Sequence, residues 1–137
     1  MKKLLGLALV ASLFASCSDD DSASTSVNLD LLVKKWYPTS YVLNGQTIAY
    51  DDHEECGNDF LEFYDNGTAR FVDIWDCEEV IDNGTYTVSG NTITSDLGNG
   101  PETVNVITLT ATDLVIEQAY TESGVTVTMQ QKFKSSL

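Results

Sequence analysis

Apolar and polar positions change their period along this chain. Leu4 to Phe14 form an apolar run behind Lys2 and Lys3, and a polar stretch from Ser18 to Asn28, SDDDSASTSVN, has no periodicity at all. Leu29, Leu32, Val33 and Trp36 then fall at i, i+3, i+4 and i+7, the spacing of one helix face. Asp30 near its start and Lys34 and Lys35 near its end suit the helix dipole. Pro38 stops this short helix. From Tyr37 onward the pattern becomes short runs of Val, Ile, Thr, Tyr and Phe, punctuated by Asn-Gly, Ser-Gly and Asn-Gly-Pro. The pattern predicts about eight strands with no helix between them, an all-β sandwich or an antiparallel up-and-down barrel, and consecutive hairpins favour the barrel.

The strongest local signal is FLEFYDNGTARFVDIW, in which Asn66-Gly67 supplies the two positive-φ positions of a type I′ turn. A two-residue loop there makes Leu61 face Val72, Phe63 face Arg70 and Asp59 face Ile74. On the same register Cys56 faces Cys77, at a non-hydrogen-bonded site where a disulfide is reachable. The bridge is expected to contribute about 3 kcal/mol for a loop of roughly 20 residues, and a bulge at Gly57 would shift its register. Leu61, Phe63, Val72 and Ile74 are the more uniformly apolar set and are assigned to the interior. Phe60, Tyr64, Phe71 and Trp75 are then left as an outer aromatic strip.

The same counting downstream pairs Ile107 with Ile116 and Leu109 with Leu114. A turn at Glu122 to Gly124 puts Leu114, Ile116 and Tyr120 on the side of Val127, Met129 and Phe133. Tyr86, Val88 and Ile93 share a side in GTYTVSGNTITS. With Trp36, these residues are expected to line or fill the barrel.

The formal charge is -14, and because Lys2 and Lys3 belong to the apolar leader, the remainder is more acidic still. Such a polyanion repels nucleic acid and anionic lipid. Acid concentrates around the two cysteines, at Asp51, Asp52, Glu54, Glu55 and Asp59 and again at Asp76, Glu78, Glu79 and Asp82. Asp51, Asp52, Glu54, Glu55, Asp76, Glu78 and Glu79 are the candidate calcium ligands, but their spacing matches no EF-hand loop and a solvated acidic rim is the ordinary outcome. Two cysteines and His53 offer too few soft ligands for a transition metal. Glu62 and Asp73 lie diagonally across the expected hairpin at roughly 7 Å, a separation that in principle suits paired carboxylate chemistry and that chance also produces in an acidic sheet. His53 is the sole histidine and no nucleophile sits in a recognisable dyad, so the sequence reads as a non-enzyme without a cofactor.

The leader ends in Ala15 and Ser16 and is too short to span a bilayer permanently. Placed directly before Cys17, it resembles a bacterial lipoprotein signal, with Phe14 where that signal commonly has Leu. The resemblance implies cleavage after residue 16, lipidation of Cys17, and a tether over residues 17–28 that reaches roughly 30 Å when extended. Lipidation also removes the odd thiol of a three-cysteine exported chain, leaving Cys56 and Cys77 to pair. CSDDD is similar to an acid-rich tag that sends some outer-membrane lipoproteins to the cell surface. The expected location is the outer membrane, displayed outward or, alternatively, on the periplasmic face.

LVKKWYP, CGNDFLEFYDNGTARF, NGTYTVSGNTIT and ITLTATDLVI, in that order, resemble the lipocalin-like domain of small bacterial lipoproteins, although Lys34 stands where a glycine is common. The likeness runs over roughly Leu29 to Phe133, within a domain taken as residues 29–137. It implies an eight-stranded barrel closed at one end by the helix, holding a small apolar or amphipathic ligand, and it implies no catalytic residues. The alternative is a barrel filled with side chains that meets an envelope protein or a glycan through its outer aromatic strip or its acidic rim.

Overall fold

The structure, a computed structural model, describes residues 26–137; the leader, Cys17 and its aspartates lie outside them. Asn28 caps a single helical turn, α1 (Leu29–Leu32), by accepting from the Asp30 amide at 2.9 Å. The periodic stripe therefore ends earlier than its spacing predicts, because Trp36 already belongs to β1 (Lys35–Leu43). Residues assigned to the tether are tied down: the Val27 amide donates to Gly90 O at 2.8 Å, and Val27 packs on the core.

Eight further strands follow: β2 (Gln46–Ala49), β3 (Phe60–Phe63), β4 (Thr68–Trp75), β5 (Glu78–Ser89), β6 (Thr92–Asp96), β7 (Pro101–Leu109), β8 (Asp113–Glu122) and β9 (Val125–Lys134). Each of β3 to β8 pairs antiparallel with the next, β1 pairs with β3 and with β9, and the sheet closes. The result is the expected eight-stranded up-and-down barrel, with β2 folded back on the upper half of β1. Helix α1 and the β3–β4, β5–β6 and β7–β8 turns lie at one end, the closed end. The opposite, open end carries the β4–β5, β6–β7 and β8–β9 connections and the long strap from Tyr50 to Asp59.

Two hydrophobic clusters form on opposite faces of the wall. Leu32, Trp36, Phe63, Ala69, Tyr86, Ile93, Leu114 and Phe133 fill the closed half of the interior. Trp36 is fully buried and its indole N–H donates to Leu32 O at 2.9 Å, so the largest apolar side chain leaves no orphan donor. The smaller cluster, Phe60, Val72 and Ile74 with Tyr37, lies on the outer face. The Lys35 ammonium sits 4.2 Å from the Phe60 ring centroid and covers part of it.

The β3–β4 register corrects the expected one. Phe60 faces Val72, Leu61 faces Phe71, Glu62 faces Arg70 and Phe63 faces Ala69. The loop holds three residues rather than two, because Asn66 does not enter the left-handed region and only Gly67 does, at φ 80°. The Asn66 carboxamide instead accepts from the Thr68 amide and hydroxyl, and Gly67 O accepts from the Tyr86 amide at 2.9 Å, which pins the longer loop. A one-residue slip inverts one strand against the other. Leu61 and Phe63 point inward as assigned, but Val72 and Ile74 point outward and Phe71 points inward. The outer aromatic strip therefore does not exist as such: Phe60 is buried in the outer cluster, Phe71 is inside, and Tyr64 donates to Glu62 at 2.7 Å. Glu62 and Asp73 are on opposite faces, so they form no carboxylate pair.

Downstream, Leu109 faces Leu114 as expected, but the ladder shifts between Val106 and Thr108, so Val106 faces Ile116 and Ile107 is the bulged residue, 43% exposed. Leu114, Ile116 and Tyr120 do share the face of Val127, Met129 and Phe133.

Candidate functional site

Above the packed closed half the barrel interior opens into a cavity of about 180 Å³. Leu61 and Phe63 of β3, Leu114 of β8 and Phe133 of β9 reach it from below. Phe71, Ile93 and Ile116 add apolar wall, and Ser95, Glu102, Gln118 and Gln131 contribute polar groups. The backbone places these groups on different strands, converging because inward positions alternate along each. Val104 and Leu97 complete the side formed by β6 and β7. There the wall is split: β7 and β8 pair only from Asn105–Glu117 toward the closed end, so residues 101–104 and 118–122 part at the open end. An engineered, wholly apolar cavity of about 150 Å³ accepts benzene, so this volume admits a small organic ligand.

The strap runs from β1 to the tip of the β4–β5 hairpin, and it is held by a network that the sequence pattern does not reveal. Asp59 is completely buried; its carboxylate accepts from the Ile74 amide at 2.8 Å and the Tyr50 hydroxyl at 2.5 Å. The Asp59 amide donates to His53 Nδ1 at 3.1 Å, and the His53 Nε2–H donates to Pro38 O at 2.9 Å. These bonds specify one neutral tautomer. Burial, reinforced by the hydrogen bond to Asp59, drives the Tyr50 hydroxyl far above the usual tyrosine range. The only outward signal for this network was a lone histidine within an acidic run, which looks the same whether it is buried or solvated.

Cys56 and Cys77 form the expected disulfide, with Cα atoms 5.7 Å apart, but in a different setting. Cys77 is not in a strand. Asp76 and Cys77, at φ 52° and 62°, make the two-residue turn between β4 and β5. Glu54 accepts from both turn amides, Asp76 at 2.8 Å and Cys77 at 2.9 Å. Disulfide and carboxylate together clamp the strap to the hairpin tip.

The calcium candidates do not converge. Among the described residues, only Glu54, Cys56 and Cys77 bring three ligand atoms within 4.8 Å of one another, and both sulfurs belong to the disulfide. Asp51, Asp52, Glu55, Asp76, Glu78 and Glu79 are exposed. Their crowding is felt at Asp73, which faces the mouth: burial first, then Asp59, Asp52, Glu54 and Asp82, raise its carboxyl above the usual range. Across the mouth, burial and then Glu102 raise the Tyr120 hydroxyl, which donates to Gln118 Oε1 at 2.7 Å.

Of the residues expected to line or fill the barrel, Leu61, Phe63, Leu114, Ile116 and Phe133 line the cavity. Trp36 and Tyr86 are buried beneath it, and Leu109 packs beside them. Val127 and Met129 face inward on β9 by register without lining it. Val72, Ile74 and Ile107 are outside, for the register reasons given above. Gln118 and Gln131 were missed, although the correctly read register already placed them on the inner face. A polar side chain between apolar inward neighbours is the mark of an interior that is not completely filled with hydrocarbon.

A bovine lipocalin allergen is similar in structure, with a TM-score of 0.50 at 12% identity, covering 81% of this chain and 78% of that one. The odorant-binding protein from bovine nasal mucosa superposes with a TM-score of 0.46 at 21% identity, covering 79% of this chain and 73% of that one. At these identities the likeness concerns the fold alone. No curated protein matches the chain significantly in sequence. The family model of the lipocalin-like domain matches residues 32–116, which spans β1 through the first half of β8 and supplies most of the cavity wall. The chain belongs to the lipocalin-like domain family.

Proposed function

We propose that this protein is a lipid-anchored, extracytoplasmic binding protein that takes a small apolar or amphipathic ligand into the open half of its barrel and performs no chemistry on it. The observation that carries the reading is the cavity: an apolar chamber of about 180 Å³ with polar groups on its wall and a split edge beside it. A barrel of eight strands has an interior just large enough to be filled or to hold one small ligand, and here the side chains stop short of filling it. The family membership agrees with a binding role, since its fold is one of binding proteins.

Isothermal titration with octanol tests this. Binding to the protein, abolished in Val104→Trp with thermal stability retained, supports the reading; an unchanged affinity in the variant removes the cavity as the site. Anchoring through Cys17 is checked separately: Cys17→Ser should move the protein from the membrane fraction to the soluble one.

A further inference from the structure

The charges on this molecule are sorted by end, and the cavity opens at one of them. The basic residues of the described chain are Lys34, Lys35, Arg70, Lys132 and Lys134, and all lie on the closed half, beginning β1 and β4, ending β9 or just before α1 meets β1. Two of them are neutralised there, Arg70 by Glu62 at 2.8 Å and Lys134 by Asp113. The open half, by contrast, carries the strap acids, the acids of the β4–β5 hairpin, Asp96 and Glu102, and no lysine or arginine among the described residues. A cleft with low-dielectric walls and one sign of charge at its mouth focuses that field onto whatever enters.

The cavity has the same polarity gradient. Its floor, Phe63, Leu114 and Phe133, is hydrocarbon, while Gln118 and Gln131 lie higher on β8 and β9. Glu102 is the one charged side chain in the lining, and it stands on the parted edge of β7, where a ligand's end meets solvent. Tyr120, 43% exposed, lies close enough to Glu102 for that carboxylate to raise its hydroxyl in addition to burial, and an aromatic face favours a cation over it. A fatty carboxylate would bring its charge against this acid, and a neutral ligand would make no use of it. Among the described residues, a bare divalent ion finds no convergent set of carboxylates.

We propose that the occupant of the cavity is a cationic amphiphile, with a compact apolar body in the barrel and an ammonium group held at the open end beside Glu102. This rests on the cavity being a ligand site.

Isothermal titration with a matched series separates the possibilities: octylammonium, octanol, octanoate, and methylammonium as the headgroup alone. Octylammonium should bind about tenfold or more tightly than octanol, and octanoate most weakly, a specificity set by the difference between affinities. The preference should shrink in about 0.5 M NaCl, where screening acts over only a few ångströms. It should also shrink in Glu102→Gln, where the affinity for octylammonium falls more than the affinity for octanol. Equal affinities for octylammonium and octanol overturn the charge preference and leave the cavity reading standing. Methylammonium binding as tightly as octylammonium also overturns it, because the cation is then held by the rim alone. If none of the three octyl compounds binds, the cavity reading fails and the inference with it.

Discussion

Asp73 shows how much this molecule's acidic mouth costs one of its own residues. It faces inward beyond the end of β3, with Asp59, Asp52, Glu54 and Asp82 all raising its proton affinity in addition to burial. With its folded pKa above the ordinary value of 3.8, the native state holds the proton more tightly than the unfolded chain does. Stability from this group is therefore fully present below the ordinary carboxylate pKa and is lost as pH rises through the folded one. Asp73→Asn should raise the melting temperature at neutral pH, and the advantage should disappear by about pH 3, where the Asp73 carboxyl of the parent is protonated in the folded and the unfolded state alike. A variant no more stable than the parent at neutral pH contradicts this account. Asp59 is completely buried, and two donors meet its carboxylate. Composition alone could not separate these two aspartates: what distinguishes them is whether an amide and a hydroxyl arrive from Ile74 and Tyr50.

At the scale of elements, the β3–β4 hairpin and the strap mark where local pattern stops being informative. Asn-Gly is compatible with a two-residue and a three-residue loop, and the choice is made by Tyr86, whose amide reaches Gly67 O from the neighbouring sheet strand β5. That single extra loop residue exchanged Phe71 for Val72 in the cavity wall. The β8–β9 hairpin was legible because Ser123 and Gly124 do take the left-handed region, at φ 52° and 80°, and fix a two-residue turn. Cys56 and Cys77 were paired correctly from a register that is itself off by one, since the strap is irregular and adapts where a strand could not. The bridge closes a separation of 21 residues. Loop closure of that length predicts that Cys56→Ala with Cys77→Ala lowers unfolding stability by about 3 kcal/mol. Urea titration measures it. Glu54 retains its two turn amides in that variant, so the strap should remain docked in the folded state and octanol affinity should change little; a large loss of affinity would mean that the disulfide itself shapes the mouth.

For the whole molecule the question is which electrostatic effect dominates, attraction at the closed end or repulsion at the open one. The closed end offers two ion pairs, Arg70 with Glu62 and Lys134 with Asp113, both with solvent contact. Pairs of this kind contribute about 0–1 kcal/mol each. Against them stands an open end with acids on the strap, the β4–β5 hairpin, β6 and β7 and no lysine or arginine among the described residues there. Repulsion among neighbours within about 10 Å of one another survives at 0.1 M salt and is screened progressively above it. Repulsion should dominate, so raising NaCl from about 0.05 to about 0.5 M should raise the melting temperature, opposite to a protein held together by its surface ion pairs. The effect should be smaller in Asp73→Asn, which removes one of the crowded charges, and larger than any change produced by Lys134→Gln, which removes a single exposed pair. A melting temperature that falls with salt would show that the closed-end pairs outweigh the mouth, and that the sorting of charge by end has no energetic weight in the free protein.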